Sequence, residues 1–437
     1  MLERLSHGVC YSACMIKVQS EVGRLRAVVV HPPGAAMERM LPEHIDPSSP
    51  HYLLFDDLVD VRAAEDEHRQ LCDVLATVAE VVPFQRLLAE TLEHAQRRAD
   101  LIRDVGDHEG LSAAQRDALE GLDPSTLASA LIVGTDTGLA DGRPLFSPAP
   151  NLIFTRDLAA VVGESIVVGN ANKLARRRET MLAWAVFEGH GRFGQSPIAR
   201  SSTRVHEAGG SAPLTIEGGD VLVISERLAA IGASERTSWA MIIRLATELL
   251  EHGLERILVV EMPKQRSSMH LDTVFTMADR TIGVVYPPLL DPGGAEEAKV
   301  LGIRREQGQT IVDDLDVHLM NALAGEGHPL TPVLCGGGHP LHARREQWTD
   351  GANYVALGPG VVVGYARNHR TAAAMREAGF EVTSPQQYLS LLDADFGGDA
   401  DALFASGRRI AVHLVGSELS RGRGGPRCLT CPIWREA

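Results

Sequence analysis

One unit recurs along this chain: a strand-like run, a tight turn, a second strand-like run, a polar connection bearing Asn, Ser or Arg, and then a helical stretch. Three copies are clear: RDLAAVVGESIVVGNANKLARRRETMLAWAV from Arg156, GDVLVISERLAAIGASERTSWAMIIRLATELL from Gly219 and NYVALGPGVVVGYARNHRTAAAMREAGFEV from Asn353. Weaker copies read GRLRAVVVHPP from Gly23 and HLDTVFTMADRTIGVVYP from His270. Self-similarity of this kind restricts the fold more than any local propensity does. Five strand-rich units predict modules around an axis, with strand ends and connections free to converge on a central cleft.

Between the first unit and the next, the pattern changes. From about residue 58 to 140, segments such as DLVDVRAAEDEHRQLCDVLATVAE and PFQRLLAETLEHAQRRADLIRDV carry apolar residues at three- and four-residue spacing with charges on the other face. Ser112 and Pro124-Ser125 add helix-start signals. Residues 60–145 are therefore expected to form a helical insertion within a catalytic domain spanning 16–437. Residues 1–15 read as an extension outside it, because Met15 opens the stretch that passes through Gly23 into the strand-like Leu25 to His31.

A length of 437 residues suits one large domain with an insertion. With 44% hydrophobic and 23% charged residues, the chain is neither disordered nor fibrous. Its 42 Lys and Arg against 57 Asp and Glu give a net charge of -15, which repels nucleic acid and attracts cations. Without an apolar run of about 18 residues or a signal-peptide pattern at the N-terminus, no membrane contact and a cytoplasmic location are expected. Six cysteines make no disulfide framework, so the C-terminal pair needs a chemical or structural reason.

Candidate chemistry gathers at the heads of the repeats. Asp157 closes the segment Asn151 to Asp157, where a strand-edge Asp is ordinarily a turn-former. Glu217-Gly-Gly-Asp220 sets two carboxylates around a Gly pair that permits close approach of another group. His270 and Asp272 share a face if they lie on a strand; alone, they fit a surface pair as well as a catalytic one. Near the C-terminus, Ser420-Arg-Gly-Arg-Gly-Gly-Pro-Arg-Cys428 sets a Gly-rich loop and two or three guanidinium groups beside Cys428, which would favour its thiolate. Cys428 and Cys431 also fit a redox pair, or half of a zinc site completed by Cys10 and Cys14.

Taken in order, FTRD, EGGDV, MHLDTVF, REQWTDG, ALGPGVVVGYARN and RCLTCPI resemble the arginine deiminases of the guanidino-group modifying superfamily, from about Val18 to the C-terminus. The resemblance implies an α/β fold of pentein type: a propeller of five ββαβ modules round a pseudo-fivefold axis, with an inserted helical bundle. It implies Cys428 as nucleophile, His270 as general acid and base, and Asp157, Glu217 and Asp272 as guanidinium-binding carboxylates. Asn151, Phe154, Arg176, Arg236 and Arg423 match substrate-holding positions. Two features depart from the family pattern: Pro426 ahead of Arg427, and His339 where Asn is expected.

The chemistry is coherent on its own terms. A planar guanidinium offers five N–H donors to paired carboxylates, which leaves its central carbon open to a thiolate. Arg176 and Arg236 occupy corresponding places in two repeats, and bidentate pairing with an α-carboxylate would select an amino acid over a simple guanidine. Hydrolysis of L-arginine to L-citrulline and ammonia is expected, with no cofactor, no metal and a possible homo-oligomer. Rival readings are a relative acting on citrulline or a guanidino acid, an amidinotransferase, and a thiol redox or zinc-binding interaction protein.

Overall fold

Four of the five repeats open as two short antiparallel strands, because β-branched runs flank a turn that reverses the chain. Ala159–Val162 pairs with Ser165–Val168 through Gly163, whose φ of 59° suits a residue without a Cβ. Val221–Val223 pairs with Leu228–Ala233, Phe275–Asp279 with Ile282–Val285, and Val355–Gly358 with Val361–Tyr365. The computed structural model describes residues 16–134, 145–194, 196–197, 214–290, 294 and 296–436. The expected extension over residues 1–15, with Cys10 and Cys14, lies outside the described residues.

In several units, a third strand returns parallel to the second. Arg256–Glu261 lies beside Leu228–Ala233, Thr331–Leu334 beside Ile282–Val285, and Ile410–Leu414 beside Val361–Tyr365. Crossovers of this kind need a connecting helix, and Trp239–Glu251 and His369–Glu377 lie between the joined strands in two of them. Leu25–Val30 takes Glu80–Pro83 as its parallel neighbour and Cys431–Arg435, from the other end of the chain, as its antiparallel one. The described residues thus form a mixed α/β fold with five separate sheets. A hairpin of Val300–Glu306 and Gln309–Asp314 widens the second repeat's sheet, an addition the repeat pattern did not announce.

Helices Val61–Leu75, Phe84–Leu92, Ala95–Glu109, Ala113–Glu120 and Pro124–Val133 fill most of the stretch expected to be helical. Ser112 and Gln115 cap one of them reciprocally, and Asp123 with Pro124 starts another. Phe84, Leu88, Leu127, Leu131, Leu182 and Phe187 join in one buried core, which fixes Phe84–Leu92 and Pro124–Val133 against Arg177–Gly189, whereas Val61–Leu75 packs into another. The strand Glu80–Pro83 is a departure within this stretch; it makes Val61–Leu75 a crossover of the first sheet.

That crossover reaches the C-terminal loop. Glu67 accepts backbone N–H bonds from Ser417 and Leu419 at 2.8 and 2.9 Å, and from Glu418 at 3.0 and 3.2 Å. A carboxylate bonded to a turn in this way holds the segment that leads into Gly422–Cys428. Glu67→Ala strands three backbone donors and is expected to lower unfolding free energy by about 2–4 kcal/mol. Urea denaturation checks this, and a loss under about 0.5 kcal/mol defeats the anchoring role.

Candidate active site

The ends of the repeats bring their polar residues into one closed space. Leu54, Asn151, Phe154, Asp157, Arg176, Arg236, Arg266, Met269, His270, Thr273, Gly422, Arg423 and Cys428 line a cavity of about 20 Å³, about the size needed for one water molecule. Asp157 projects from the short helix Thr155–Leu158, Glu217 from the residue before the Gly218–Asp220 turn, and His270 from the residue before the turn Leu271–Thr273. Close approach at Gly219 is required: a Cβ there would lie 2.7 Å from His270 Nδ1.

At the centre a guanidinium is already bound. Arg176 Nη1 donates to Asp157 Oδ2 at 2.7 Å and Glu217 Oε2 at 3.0 Å, while its Nε donates to Glu179 Oε2 at 2.9 Å. His270 Nε2 lies 2.9 Å from the same Glu217 oxygen, and its Nδ1 lies 3.7 Å from Asp157 Oδ1. Atoms of Asp157, Glu217 and His270 fall within 4.8 Å of one another, and Arg176 is the cation that Asp157 and Glu217 share. Asp157 Oδ1, Glu217 Oε1 and Arg236 Nε have no hydrogen-bond partner among the described residues, although all are buried. Arg236 Nη1 stands 3.5 Å from Glu217 Oε1. Of the residues that line the cavity, Asp157 keeps an unspent acceptor and Arg236 and Arg423 each keep an unspent Nε donor, with Glu217 Oε1 unspent beside them, a polarity rarely left uncompensated in a folded interior.

Burial alone would lower the His270 pKa, but Asp157 and Glu217 outweigh it and raise it to about 9. Burial opposes ionisation of Glu217 as well, yet Arg176, Arg236 and His270 hold its pKa below the usual carboxylate range. Asp157 moves upward, since burial exceeds the help of His270 and Arg176. Asp220 is buried behind the site and accepts from Ser234 Oγ and Thr237 Oγ1 at 2.6 Å and from Leu271 N at 2.9 Å. It thereby fixes the turn beside His270.

Several expectations meet a different geometry. The two or three cations expected to favour a Cys428 thiolate point elsewhere. Arg427 donates to Glu21 at 3.0 Å and to Asp272 Oδ2 at 2.8 Å, Arg423 stacks 3.8 Å from the Trp348 ring centroid, and Arg421 is exposed and pairs with Asp57. Burial, with Asp272, Asp350 and Asp157, raises the Cys428 pKa well above normal. His270 and Asp272 are not on a strand: His270 precedes the 3-10 turn Leu271–Thr273 and Asp272 lies within it, His270 meeting Glu217 and Asp272 meeting Arg427 and Cys428 Sγ, the latter at 3.7 Å. Arg176, expected to reach for an α-carboxylate, spends its guanidinium on the carboxylates. Asn151 lines the cavity but binds the Leu53 carbonyl at 2.9 Å through Nδ2. Phe154 packs against Gly424, where a Cβ would lie 2.2 Å from its ring. Cys431 Sγ lies 3.2 Å from the Ala159 carbonyl oxygen, within the strand that meets Leu25–Val30. His339 is a helix cap, accepting from Leu341 N at 3.2 Å.

Four residues near the centre escaped the motif reading: Glu179, Glu21, Asp350 and Asn353. Glu179 was visible as the acid of ARRRET, and Asn353 as the residue heading the last clear repeat. Glu21 carries no local signal; its partner Arg427 is 406 residues away.

A sequence model described as arginine deiminase matches residues 134–435. The arginine deiminase of Mycobacterium tuberculosis (strain H37Rv) is 35% identical over 440 residues, covering 95% of this chain and 98% of the relative. That of Listeria monocytogenes serotype 4b (strain F2365) is 32% identical over 443 residues, covering 96% and 98%. Among solved structures, SxtG, an amidinotransferase from Microseira wollei, aligns with a TM-score of 0.53 at 13% identity, covering 97% of this chain and 98% of its own. The similarity to SxtG is one of fold alone.

The charged His270 makes a test by itself. Its pKa rises from 6.5 to about 9 on folding. Its pairing therefore stabilises the fold fully below about pH 6.5, and that contribution is lost as pH rises through about 9. The Tm difference between the protein and His270→Gln is expected to shrink across this window in differential scanning calorimetry. A constant difference defeats the charged-imidazole assignment.

Proposed function

The chain belongs to the arginine deiminase family, and on that premise we propose that it hydrolyses L-arginine to L-citrulline and ammonia, with Cys428 as nucleophile and His270 as proton carrier. One observation carries the reading: a guanidinium, that of Arg176, already sits between Asp157 and Glu217, beside His270 and in the cavity that Cys428 lines. A substrate guanidinium that displaces it meets the same acceptors together with the unspent oxygens of Asp157 and Glu217. Arg176, once released, and Arg236 with its unspent Nε then face the α-carboxylate. The five sheets support five ββαβ modules in a propeller, the helices of 60–145 as an insertion in a domain spanning 16–437, and a cytoplasmic place of action accords with the sequence.

The steps follow from charge. Arrival of a cationic substrate lowers the cost of a buried thiolate, and Cys428 releases its proton to solvent. The thiolate attacks the central guanidinium carbon, forming a C–S bond and a neutral tetrahedral adduct. Protonated His270 gives its proton to one terminal nitrogen; the C–N bond breaks, ammonia leaves, and a cationic S-amidino-cysteine remains. Neutral His270 then takes a proton from water as its oxygen adds to the same carbon. Collapse breaks the C–S bond, returns the thiolate and releases citrulline, while the spare proton joins ammonia as ammonium. In this role Asp272 orients Arg427 and shapes the field at sulfur, and Arg423, on Trp348, closes the cavity rim. No cofactor enters these steps.

Cys428→Ala is expected to abolish citrulline formation and Cys431→Ala to retain it; loss in both returns the redox reading. Arginine is expected to exceed agmatine in kcat/KM by about a hundredfold or more, since agmatine leaves the released arginines without a carboxylate. Arg176→Ala should cut turnover of arginine at least tenfold while leaving agmatine unharmed or improved, because the internal competitor is gone. Equal use of agmatine and arginine by the unmutated protein overturns the choice of substrate.

A further inference from the structure

We propose that Asn353 is a catalytic residue whose side-chain amide stabilises the Cys428 thiolate directly. Its Nδ2 lies 3.2 Å from Cys428 Sγ and 3.0 Å from the Asp272 carbonyl oxygen. Its Oδ1 accepts the backbone N–H groups of Arg427 and Cys428 at 3.0 and 3.3 Å. A primary amide offers two donors and two lone pairs, and all four are used in a side chain with no exposed surface. This pattern also fixes the orientation of the amide, because two N–H donors on one side require the oxygen there and leave the nitrogen for sulfur.

The neighbourhood of the sulfur makes this donor matter. Asp272 Oδ2 stands 3.7 Å away, and Asp157 also borders the cavity; carboxylates here oppose a thiolate. Arg427 and Arg423 are turned to other partners. Among the described residues, the Asn353 amide is the side chain that donates a hydrogen bond to Cys428 Sγ, and the Gly425 backbone N–H assists it. The loop is shaped around it: a Cβ on Gly425 would lie 2.4 Å from Asn353 Oδ1, so the glycine ahead of Pro426 lets the nucleophile's loop close on the amide. A preorganised N–H at this point lowers the cost of charge on sulfur twice, when the thiolate forms and when the C–S bond breaks.

The inference rests on Cys428 being the nucleophile, and the test separates the two. Asn353→Ala removes the donor without adding charge; Asn353→Asp keeps size and acceptor while removing the donor. Thiolate formation is followed by ultraviolet absorbance across pH, with Cys428→Ala as blank, alongside kcat, KM and Tm on L-arginine. A hydrogen bond to a charged group implies a kcat lower by about ten- to hundredfold and a thiolate midpoint raised by about one to two pH units in Asn353→Ala, with KM within about threefold. Asn353→Asp should shift the midpoint at least as far. Midpoints unchanged in both variants, kcat within about twofold, or failure of both to fold makes the amide a scaffold element and overturns the proposal. Turnover by Cys428→Ala instead overturns the nucleophile on which it stands.

Discussion

The structure depends on guanidinium groups buried against carboxylates. Asp157, Glu179 and Glu217 are all shielded from solvent around Arg176, with Arg236 and His270 alongside. Each of these groups loses hydration worth several kcal/mol when charged, a cost that their mutual pairing offsets. Arg176 carries most of this pairing, since it meets Asp157, Glu179 and Glu217 at once. The same requirement makes the cavity selective, because a ligand that displaces Arg176 has to bring a planar cation of its own.

A second buried network joins the two ends of the described chain beside Cys428. Glu21 holds Arg427 through both carboxylate oxygens, and its pKa falls to about 2 because Arg427 and Arg156 outweigh the effect of burial. Arg427 in turn holds Asp272 and the Val221 carbonyl. Strand Leu25–Val30, close after Glu21, pairs with Cys431–Arg435, close after Cys428. Sheet register therefore sets the distance between Glu21 and Arg427, and Arg427 positions the backbone of its neighbour. The loop's final shape depends on the whole fold being closed.

The repeats were legible because period-two apolar runs, turn residues and helical spacing recur at the same intervals. Asp220, Asp272 and Asn353 each stand shortly before a first strand, so alignment of repeat heads alone points to one polar centre. Asn353 could have been found by that alignment, since it heads its repeat as Asp220 heads another. What eluded the sequence was direction. Counting arginines near Cys428 predicts a thiolate, but Arg427 is drawn to Glu21, which no spacing rule connects with it. Likewise His270 and Asp272 suggested one face of a strand, whereas a tight turn sends them to different partners. The hairpin Val300–Glu306 and Gln309–Asp314 was missed because its outer strand buries no residue and its inner strand ends in charged residues, so the pair lacks the apolar signature of the repeat strands.

An internal guanidinium in the pocket reconciles two demands that otherwise conflict. Carboxylates poised for a substrate cation are costly when the site is empty, because buried oxygens would stand without partners. Arg176 meets this cost by pairing with Asp157 and Glu217, and in the proposed reaction it needs only a new anion when substrate enters. The substrate's α-carboxylate is such an anion, so an amino acid bearing a guanidinium replaces both halves of the broken pairing. A guanidine without a carboxylate replaces one half and leaves Arg176 unpaired. Discrimination then comes from charge conservation inside the cavity, and it does not require a tight steric fit. Asp157 and Glu217 each keep an oxygen unspent beside Arg176, which in the proposed exchange offers the incoming cation more acceptors than the resident one uses.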